Sequence, residues 1–560
     1  MKFFDKNNLL VLVSIIMLIV ISQFFHIRID LTSDKRHSIS KQTKDLIKSI
    51  DEPIEAVVYL TGDLNSGFLR LKNSATDLLK ELNAYGKSKL TIRFVNPSDA
   101  DTESERIKNH ELLSSRGMEG TAVYERDKEG KAIQKIVFPW LELTFQNKTT
   151  QVNLLKNDKS LSGEENLNIS IENLEFEITD ALRRLTKKDI EKIAFLEGHG
   201  ELDELETYEA SKSLSRYFQI DRGIIGTEPD ILNEYKCVII AGPTSAFSEK
   251  DKFILDQYLM KGGSILWLVD GVQISEENLS TSGISPAMPL ELQLNDLLFR
   301  YGARINPVIL EDVQSTLIPV NIAPAGEKPH FEPIPWVYSP LLLTASDHTI
   351  TKNIPPVKAQ FASLVDFVGN SKSIDKKVIL ATSTNTHITQ TPAQISLAFA
   401  PDLKDKNYFN YSNVPVGVVL EGVFESAFAN RMVPKEISSA QQILKSSKIT
   451  KQIIFANSGI IRNEIEHTAD SIRTLPLGFD RYMNQQFGNK ELITNSVLYL
   501  TDKDGWMQLR SRTIPLRLLN KNKINTQRTN LQLLNVVSPL IVLLIFGLIY
   551  HRIRRIRYSS

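Results

Sequence analysis

Two apolar runs, one near each end of the chain, set the first limit on how this protein can fold. The first extends from Leu9 to Phe25, 17 residues without a charge, just long enough to cross a hydrocarbon layer of roughly 30 Å. The second extends from Leu531 to Tyr550, and its Pro539 is acceptable because membrane helices tolerate proline. The sequence therefore predicts one transmembrane helix at each end, with both termini on the same side of a membrane.

Charges beside the two runs indicate the orientation. Lys2 and Lys6 precede the first run, and a basic tail follows the second: Arg552, Arg554, Arg555 and Arg557. The stretch Gln23–Ile27 lacks the small residues of a signal-peptide cleavage site, which favours an uncleaved anchor. We expect both termini in the cytoplasm, the large middle domain in the periplasm, and the protein in the inner (cytoplasmic) membrane.

The charge balance and the single cysteine exclude several classes of protein. Lys plus Arg and Asp plus Glu each total 66, so no basic excess exists to attract a nucleic acid. With only Cys237, the chain has no intramolecular disulfide and no cysteine-based zinc site. Because Cys237 lies in an apolar, strand-like run, we expect it to be a buried structural thiol.

Motifs for common catalytic chemistry are missing. Gly86-Lys87-Ser88 resembles the end of a phosphate-binding loop, but Glu81 stands where that loop needs its first glycine. The histidines are too widely spaced for a His-x3-His metal face, and no Gly-x-Ser-x-Gly elbow occurs. We therefore expect no ATPase activity, no catalytic residues, no metal and no cofactor, and so a protein that is not an enzyme.

Alternating strand and helix patterns predict an α/β protein. Ile54–Leu60, a helix ending near Gly86, and Leu90–Val95 form a β-α-β unit with parallel strands, thioredoxin-like in outline. Two further strands, near 121–125 and 136–143, are expected to extend that sheet. A polar loop then leads into an amphipathic helix that bridges to the next domain.

The clearest alternation follows this bridging helix. Strands Ile193–Leu196, Phe218–Ile220, Val238–Ala241 and Ile265–Val269, with a helix over Ser248–Met260, predict a doubly wound parallel sheet. The predicted organisation is an anchor at 1–29, a small α/β domain at 30–150, a linker and bridging helix at 151–190, an α/β domain at 191–289, an irregular insertion that completes this domain at 290–519, and a membrane helix with a basic tail at 520–560.

The strongest candidate site is the loop Glu197, Gly198, His199, Gly200 and Glu201. It follows a predicted parallel strand, where open α/β sheets place their ligand crevices. Its glycines would let the backbone approach a ligand, while His199 and the two carboxylates offer polar contacts. Gly242 and Asp270 end two other strands and belong to the same predicted ligand-binding set. The alternative is a tight turn in which His199 caps a helix and the acidic side chains are solvated.

Several short segments together carry a resemblance to a known family. They are Asp30–Arg36, Asn166–Glu175, Ile193–Leu202, Leu294–Gly302, Leu475–Asp480 and Leu509–Arg512. With these segments the chain resembles the gliding-motility-associated ABC transporter auxiliary proteins of the Bacteroidetes, usually labelled substrate-binding components. The resemblance covers nearly the whole chain.

The resemblance implies a membrane-anchored extracytoplasmic protein that works with a separate ABC permease and a separate ABC ATPase. It also implies a flavodoxin-like central domain and carries over no catalytic residue. Two other functions stay open at this point. One is a scaffold of a gliding or secretion apparatus, and the other is a cell-envelope enzyme that uses the Glu197–Glu201 loop.

Overall fold

The computed structural model describes residues 38–86, 89–126, 132–156, 161–187, 189–323, 327–369, 371–437, 443–468, 471–511 and 521–558, with Ser14 and Met17. These residues belong to two units, Met1–Arg512 and Thr513–Ser560. Apart from Ser14 and Met17, which are helical, the predicted N-terminal membrane run Leu9–Phe25 lies outside the described residues.

The N-terminal part of the first unit is a small mixed sheet with helices packed against it. Its elements are α1 Lys41–Ser49, β1 Ile54–Val58, α2 Ser66–Tyr85, β2 Leu90–Phe94, α3 Glu103–Ser115, β3 Thr121–Arg126, β4 Ala132–Val137, β5 Trp140–Phe145, β6 Lys148–Asn153 and α4 Gly163–Thr186. The strand order is β2-β1-β5-β6, and β1 and β2 are parallel as predicted. The thioredoxin-like outline stays a prediction.

Two sequence predictions in this part were wrong. Strand β3 does not extend the sheet; among the described residues it pairs with β4 alone, in a separate hairpin. The segment after residue 151, expected to be loop, includes the end of β6 and the first turn of α4. Strand β6 lies at the edge of the sheet and is largely exposed, so it consists mostly of polar residues. For this reason the sequence pattern did not identify it as a strand. Helix α4 starts early because Ser162 and Glu165 form a capping box.

The predicted bridging helix is confirmed as α4. Its Leu174, Ile178 and Leu182 pack in the core of the N-terminal sheet. On another side its Phe176 stacks on Trp506, with ring centroids 5.3 Å apart, and belongs to the core of the larger sheet. Helix α4 thus shares apolar contacts with both sheets of the first unit.

The rest of the first unit is built on a ten-stranded sheet and several small strand pairs. Its elements up to the insertion are β7 Glu191–Glu197, α5 Tyr208–Leu214, β8 Phe218–Ile224, β9 Tyr235–Ala241, α6 Glu249–Met260 and β10 Ser264–Leu268. The segment between β10 and β23, called the insertion from this point on, holds β11 Val272–Ile274, α7 Glu276–Ser282, β12 Ile284–Pro289, α8 Asn295–Tyr301, β13 Ala303–Asn306, β14 Val308–Asp312, β15 Ser315–Asn321, β16 Phe331–Thr344, β17 Val357–Lys358, β18 Leu364–Phe367, β19 Ile374–Ala381, β20 Thr386–Gln390, β21 Ala393–Ser396 and β22 Pro415–Gly422. The remaining elements are β23 Thr450–Phe455, β24 Ile465–His467, β25 Ile472–Thr474, β26 Phe479–Asp480, β27 Gln485–Gln486, α9 Asn489–Thr501 and a 3₁₀ helix Trp506–Ser511.

Five neighbouring strands of the large sheet are parallel, in the order β8-β7-β9-β10-β23. This order, 2-1-3-4-5 in chain sequence, is common among doubly wound sheets, and it confirms the predicted parallel sheet. Beyond β23 the sheet continues with antiparallel strands, β22, β19 and β16, contributed by the insertion. The flavodoxin-like label stays a prediction, while the mixed α/β class is established.

The large sheet is covered on both faces by apolar core. Along β10, Ile265 and Trp267 enter one core cluster, whereas Leu266 and Leu268 enter the other, because successive side chains of a strand point to opposite faces. Every residue of β10 is buried, which is why the strand reads as a continuous apolar run. Cys237 on the neighbouring strand is fully buried, as predicted.

A buried carboxylate, Asp256 of α6, joins three parts of the core that lie far apart in sequence. It accepts hydrogen bonds from Tyr301 Oη at 2.9 Å, Ser426 Oγ at 2.6 Å, the backbone N–H of Ala427 at 2.8 Å and Gln257 Nε2 at 2.9 Å. Burial raises the pKa of Asp256, although these donors oppose the shift. The carboxylate therefore fixes α6 to α8 and to the loop after β22.

The second unit contains α10, Lys521–Tyr558. Its backbone leaves helical geometry at Gln527, and Pro539 lies inside it. Within the described residues one helix is long and apolar enough to cross a membrane, Thr526–Ile556, and its side chains are exposed. The prediction of a span at each end is thus supported for the C-terminal run only.

Candidate ligand-binding cleft

A cleft of about 780 Å³ opens where the parallel strands of the large sheet end. Its walls include Gly200 and Glu201 after β7, Gly242 after β9, Asp270 after β10, and Asn457 after β23. Ligands of open α/β sheets bind at this carboxyl edge, in the crevices between the loops. The cleft is also within the size range of small-molecule sites.

The structure separates the predicted site residues into two groups. Gly200, Glu201, Gly242 and Asp270 line the cleft. Glu197, Gly198 and His199 do not form its walls and hold the loop behind them instead. That any of these residues binds a ligand stays a prediction.

His199 is buried between two carboxylates. Its Nδ1 lies 3.1 Å from Glu201 Oε1 and its Nε2 lies 3.3 Å from Asp251 Oδ2, while its ring stacks on Phe247 with centroids 3.7 Å apart. Burial alone would lower the pKa of His199, but the hydrogen bonds and charges of Asp251 and Glu201 raise it to about 9. The side chain is therefore an imidazolium that donates both N–H groups inside the protein.

The partners of His199 show that its role is to hold the loop. Asp251 is in the first turn of α6, where Ser248 caps the helix, and its pKa falls to about 2 because hydrogen bonds, first of all from His199, outweigh burial. The His199 carbonyl accepts the N–H groups of Thr244 and Ser245, both at 2.8 Å. The geometry is close to the predicted tight-turn alternative, except that Glu201 is buried rather than solvated.

Glu197 and Gly198 also act on loop geometry. Glu197 accepts a hydrogen bond at 2.8 Å from Arg222 Nε, and Arg222 donates further to Thr207 Oγ1 and to the Leu202 carbonyl. Gly198 has φ +110°, a backbone conformation that residues other than glycine rarely adopt. Together they fix the turn that presents Gly200 and Glu201 to the cleft.

Asp270 follows β10 at the carboxyl edge of the parallel sheet and lines the cleft. Its carboxylate accepts hydrogen bonds from the backbone N–H of Ser458, at 2.7 Å, and from the Ser458 hydroxyl. Burial raises its pKa, and the Ser458 hydrogen bonds only partly offset that effect. Asp270 thus links the ends of β10 and β23, which are neighbours in the sheet.

Sequence reasoning missed a charged part of the cleft wall, which includes Lys358, Glu464 and Arg481. Lys358 Nζ lies 2.8 Å from Glu464 Oε1 and 2.9 Å from Asp480 Oδ2, and Arg481 Nε lies 2.9 Å from Glu464 Oε2. Burial lowers the pKa of Lys358, but these two carboxylates outweigh it and raise the pKa. More than 100 residues separate Lys358 from its partners, so no spacing in the sequence could have revealed the group.

Asn457 is a second cleft residue outside the predicted ligand-binding set. It is 1% exposed and donates through Nδ2 to the Gln360 carbonyl. Its Oδ1 has no hydrogen-bond partner among the described residues. The nearest space is kept open by Gly459, since a Cβ at that glycine would lie 3.1 Å from Asn457 Oδ1. Asn457 therefore brings an unused acceptor to the cleft wall.

A metal site is not evident in this region. Among the residues that the structure describes, no group of three or more His, Cys, Asp or Glu side chains is arranged to hold an ion. The chemistry that the cleft offers is hydrogen bonding and charge pairing by side chains held in fixed positions.

Adding a methyl group at Gly200 should test how tightly the loop is built. Gly200 has φ +73°, and a Cβ there would overlap Thr244 Oγ1. We expect Gly200→Ala to lower the free energy of unfolding by about 1–3 kcal/mol. Gly223→Ala is the matched control, because no atom lies within 4 Å of its added Cβ and its φ is ordinary. Equal losses for the two variants in denaturant unfolding would contradict this reading of the loop.

The fold and cleft define an α/β protein with a small-molecule-sized cavity at the carboxyl edge of a parallel sheet. Residues 191–496, which contain the whole cleft, match the family described as an ABC-type uncharacterized transport system, and the chain belongs to that family. A second family, described only as a domain of unknown function, matches residues 33–144.

The comparisons with individual proteins add little about function. An uncharacterized protein of Borreliella burgdorferi is 23% identical over 93% of this chain and 92% of its own length. Among solved structures, the mmIFT52 N-terminal domain has a TM-score of 0.32 at 15% identity, covering 56% of this chain and 98% of that domain. A putative ThuA-like protein from Parabacteroides merdae has a TM-score of 0.26 at 10% identity, covering 56% of this chain and 90% of that one. Structural likenesses this distant carry no argument here.

Proposed function

We propose that this protein is a non-enzymatic auxiliary subunit of an ABC transporter, anchored in the cytoplasmic membrane with its large domain outside the cytoplasm. In this role it binds a ligand or partner and couples it to a separate permease and a separate ATPase. The observation that carries the proposal is the position of the cleft: it lies at the carboxyl edge of the parallel sheet and entirely within the region that defines the transport family.

The candidate membrane helix supports the anchored arrangement. Thr526–Ile556 is long enough to span a bilayer, and the basic tail Arg552–Arg557 follows its apolar part, which favours a cytoplasmic C-terminus. The N-terminal run Leu9–Phe25 is proposed as the second span. The association with gliding motility rests on the sequence resemblance alone.

The geometry of His199 supports a binding role over an enzymatic one. An enzyme that uses the Glu197–Glu201 loop would need His199 within reach of a substrate. His199 is instead 6% exposed, with both ring nitrogens engaged by Glu201 and Asp251. The groups that do line the cleft are suited to holding a ligand in place.

Co-purification tests the proposal directly. The tagged full-length protein should bring an ABC permease and an ABC ATPase out of membranes in mild detergent, identified by mass spectrometry. A matched variant that lacks Thr513–Ser560 should lose most of the permease, because it lacks the candidate membrane helix. Recovery of the chain alone would contradict the proposal, and recovery of motility or secretion proteins alone would favour the scaffold.

Protease treatment of spheroplasts tests the orientation. We expect externally added protease to digest the region between the two apolar runs, while tags at both termini stay protected until the membrane is opened. Protection of that region in intact spheroplasts would invert the proposed orientation.

A further inference from the structure

The charges around the cleft are almost completely paired within the protein. Five carboxylates and three cationic side chains line it. Arg462 lies 2.8 Å from Glu206 and 3.3 Å from Glu276, and Lys358 and Arg481 both engage Glu464. Each cation of the wall already has a carboxylate partner, so an anionic ligand would have to compete for it.

Asp270 is the exception among the carboxylates of the wall. Within the described part of the chain, no lysine, arginine or histidine nitrogen forms an ion pair with it, and its hydrogen bonds come from uncharged Ser458. Glu201, by contrast, is paired with the imidazolium of His199. Asp270 is partly buried, and a carboxylate that is partly withdrawn from water without an ion-pair partner is costly, so a ligand cation would relieve that cost.

A second, independent observation comes from Asn457. Its Oδ1 is an acceptor without a partner among the described residues, in a side chain that is 1% exposed and lines the cleft. Leaving a buried acceptor unpaired forfeits its hydration without replacement, so native proteins seldom keep one without a reason. Asn457 immediately precedes Ser458, whose backbone and hydroxyl bind Asp270. The unused acceptor and the unpaired carboxylate therefore belong to adjacent strand ends.

Part of the remaining cleft wall is apolar. Val272, Ile274, Leu290 and Phe361 line the same cleft. Phe361 has φ +57°, an uncommon conformation for a bulky residue, and its backbone N–H is fixed to the Tyr338 carbonyl at 2.8 Å. This wall can pack against the aliphatic part of a ligand while the polar part reaches the strand ends.

We infer that the cleft takes a ligand with a primary ammonium group on an aliphatic frame, and that Asp270 and Asn457 Oδ1 accept hydrogen bonds from that ammonium group. An ammonium group has three donors and no acceptor, which matches two acceptors better than a carboxylate or phosphate does. A hydroxyl would satisfy Asn457 but would leave the charge of Asp270 unpaired. This inference rests on the proposed function in taking the cleft as the ligand site.

Three small molecules with one four-carbon frame test the inference on the purified full-length protein in detergent. They are 1,4-diaminobutane, 1,4-butanediol and succinate, which carry ammonium, hydroxyl and carboxylate ends. We expect saturable binding of the diamine in titration calorimetry, weaker at higher salt because the contact is ionic. Binding of the diol or of succinate as tight as that of the diamine would overturn the inference, as would the absence of saturable binding by all three.

Asp270→Asn is the matching variant, since it removes the charge and nearly keeps the shape. We expect it to weaken diamine binding about tenfold, as charge-assisted hydrogen bonds are about twice as strong as neutral ones. Asp375→Asn is the control, because Asp375 is exposed and pairs only with Lys377 among the described residues. Equal diamine affinity in wild type and Asp270→Asn would overturn the inference.

Two features keep the test decisive. The comparison of the three probes uses the wild-type protein, so it stands even if Asp270→Asn fails to fold. Co-purification with permease and ATPase needs none of these probes, so a failed diamine titration with successful co-purification removes the ligand assignment and leaves the proposed function in place.

Discussion

Replacing His199 with alanine is expected to lower the free energy of unfolding by about 3–5 kcal/mol, the usual cost of removing one partner from a buried ion pair. The imidazolium is the shared partner of Glu201 and Asp251, and the Glu201 side chain is 1% exposed. Without His199, both carboxylates would lose a charge-assisted hydrogen bond, and the Glu197–Glu201 turn would lose its attachment to α6. Denaturant unfolding of the purified protein measures the effect.

The same histidine should give the protein an alkaline-sensitive stability. The pKa of His199 is raised from 6.5 to about 9 in the folded state, so its stabilisation is fully present below pH 6.5 and is lost as pH rises through about 9. We expect a loss of about 2 kcal/mol over this range, less than the full shift would give because solvent reaches the adjacent cleft. His199→Ala should remove this part of the pH dependence.

His348 provides a control with the opposite sign. Burial, together with the charge of Lys377, lowers its pKa to about 4, so its contribution is present above pH 6.5 and lost as pH falls through about 4. His348→Ala should therefore change the acid side of the stability profile and leave the alkaline decrease intact. An alkaline decrease that survives in His199→Ala would show that another group causes it.

Asp256→Ala is expected to have a comparably large effect on stability, about 3–5 kcal/mol. Four donors point at the Asp256 carboxylate, and the side chain is fully buried. Truncation would leave those donors unpaired, at about 1–3 kcal/mol for each one that finds no water. The loss should appear in denaturant unfolding as a lower midpoint with an unchanged slope.

Tyr301→Phe is the graded control for Asp256. It removes one of the four donors, the Tyr301 hydroxyl, and keeps the ring that packs edge-on against Phe424. We expect a loss of about 0.5–1.5 kcal/mol, the value of a single intramolecular hydrogen bond. If Tyr301→Phe were as damaging as Asp256→Ala, the carboxylate would not be the centre of this network.

The local pattern of apolar and turn residues in the sequence predicted most of the parallel sheet. Strands β7, β9 and β10 are continuous apolar runs followed by turn residues, and Ser248 marks the start of α6 as expected. Helix α5, between β7 and β8, has only seven residues. It begins at Tyr208, after a turn in which the side chains of Asp203 and Glu206 bond to each other's backbone N–H groups.

The local sequence pattern predicted only part of the candidate site. The strand-end rule located Gly200, Glu201, Gly242 and Asp270, because the rule depends on local sequence. The same rule also predicted His199 as a ligand-binding residue, but His199 is buried behind the cleft wall. Its burial depends on Phe247 and Asp251, which lie in the connection between β9 and α6. Lys358 and Asn457 were not in the predicted ligand-binding set, because their surroundings in the cleft come from segments that only the folded chain brings near.

The insertion between β10 and β23 has a consequence for how the protein folds. These strands are parallel neighbours, and Trp267 of β10 bonds to Gln452 of β23 across 185 residues of chain. Contacts of such long sequence separation form slowly, because the entropy of closing the loop must be overcome before the contact is made. We expect β23 to join the parallel strands late in folding. Since β23 delivers Asn457 and Ser458, the cleft would be completed only after the insertion has folded.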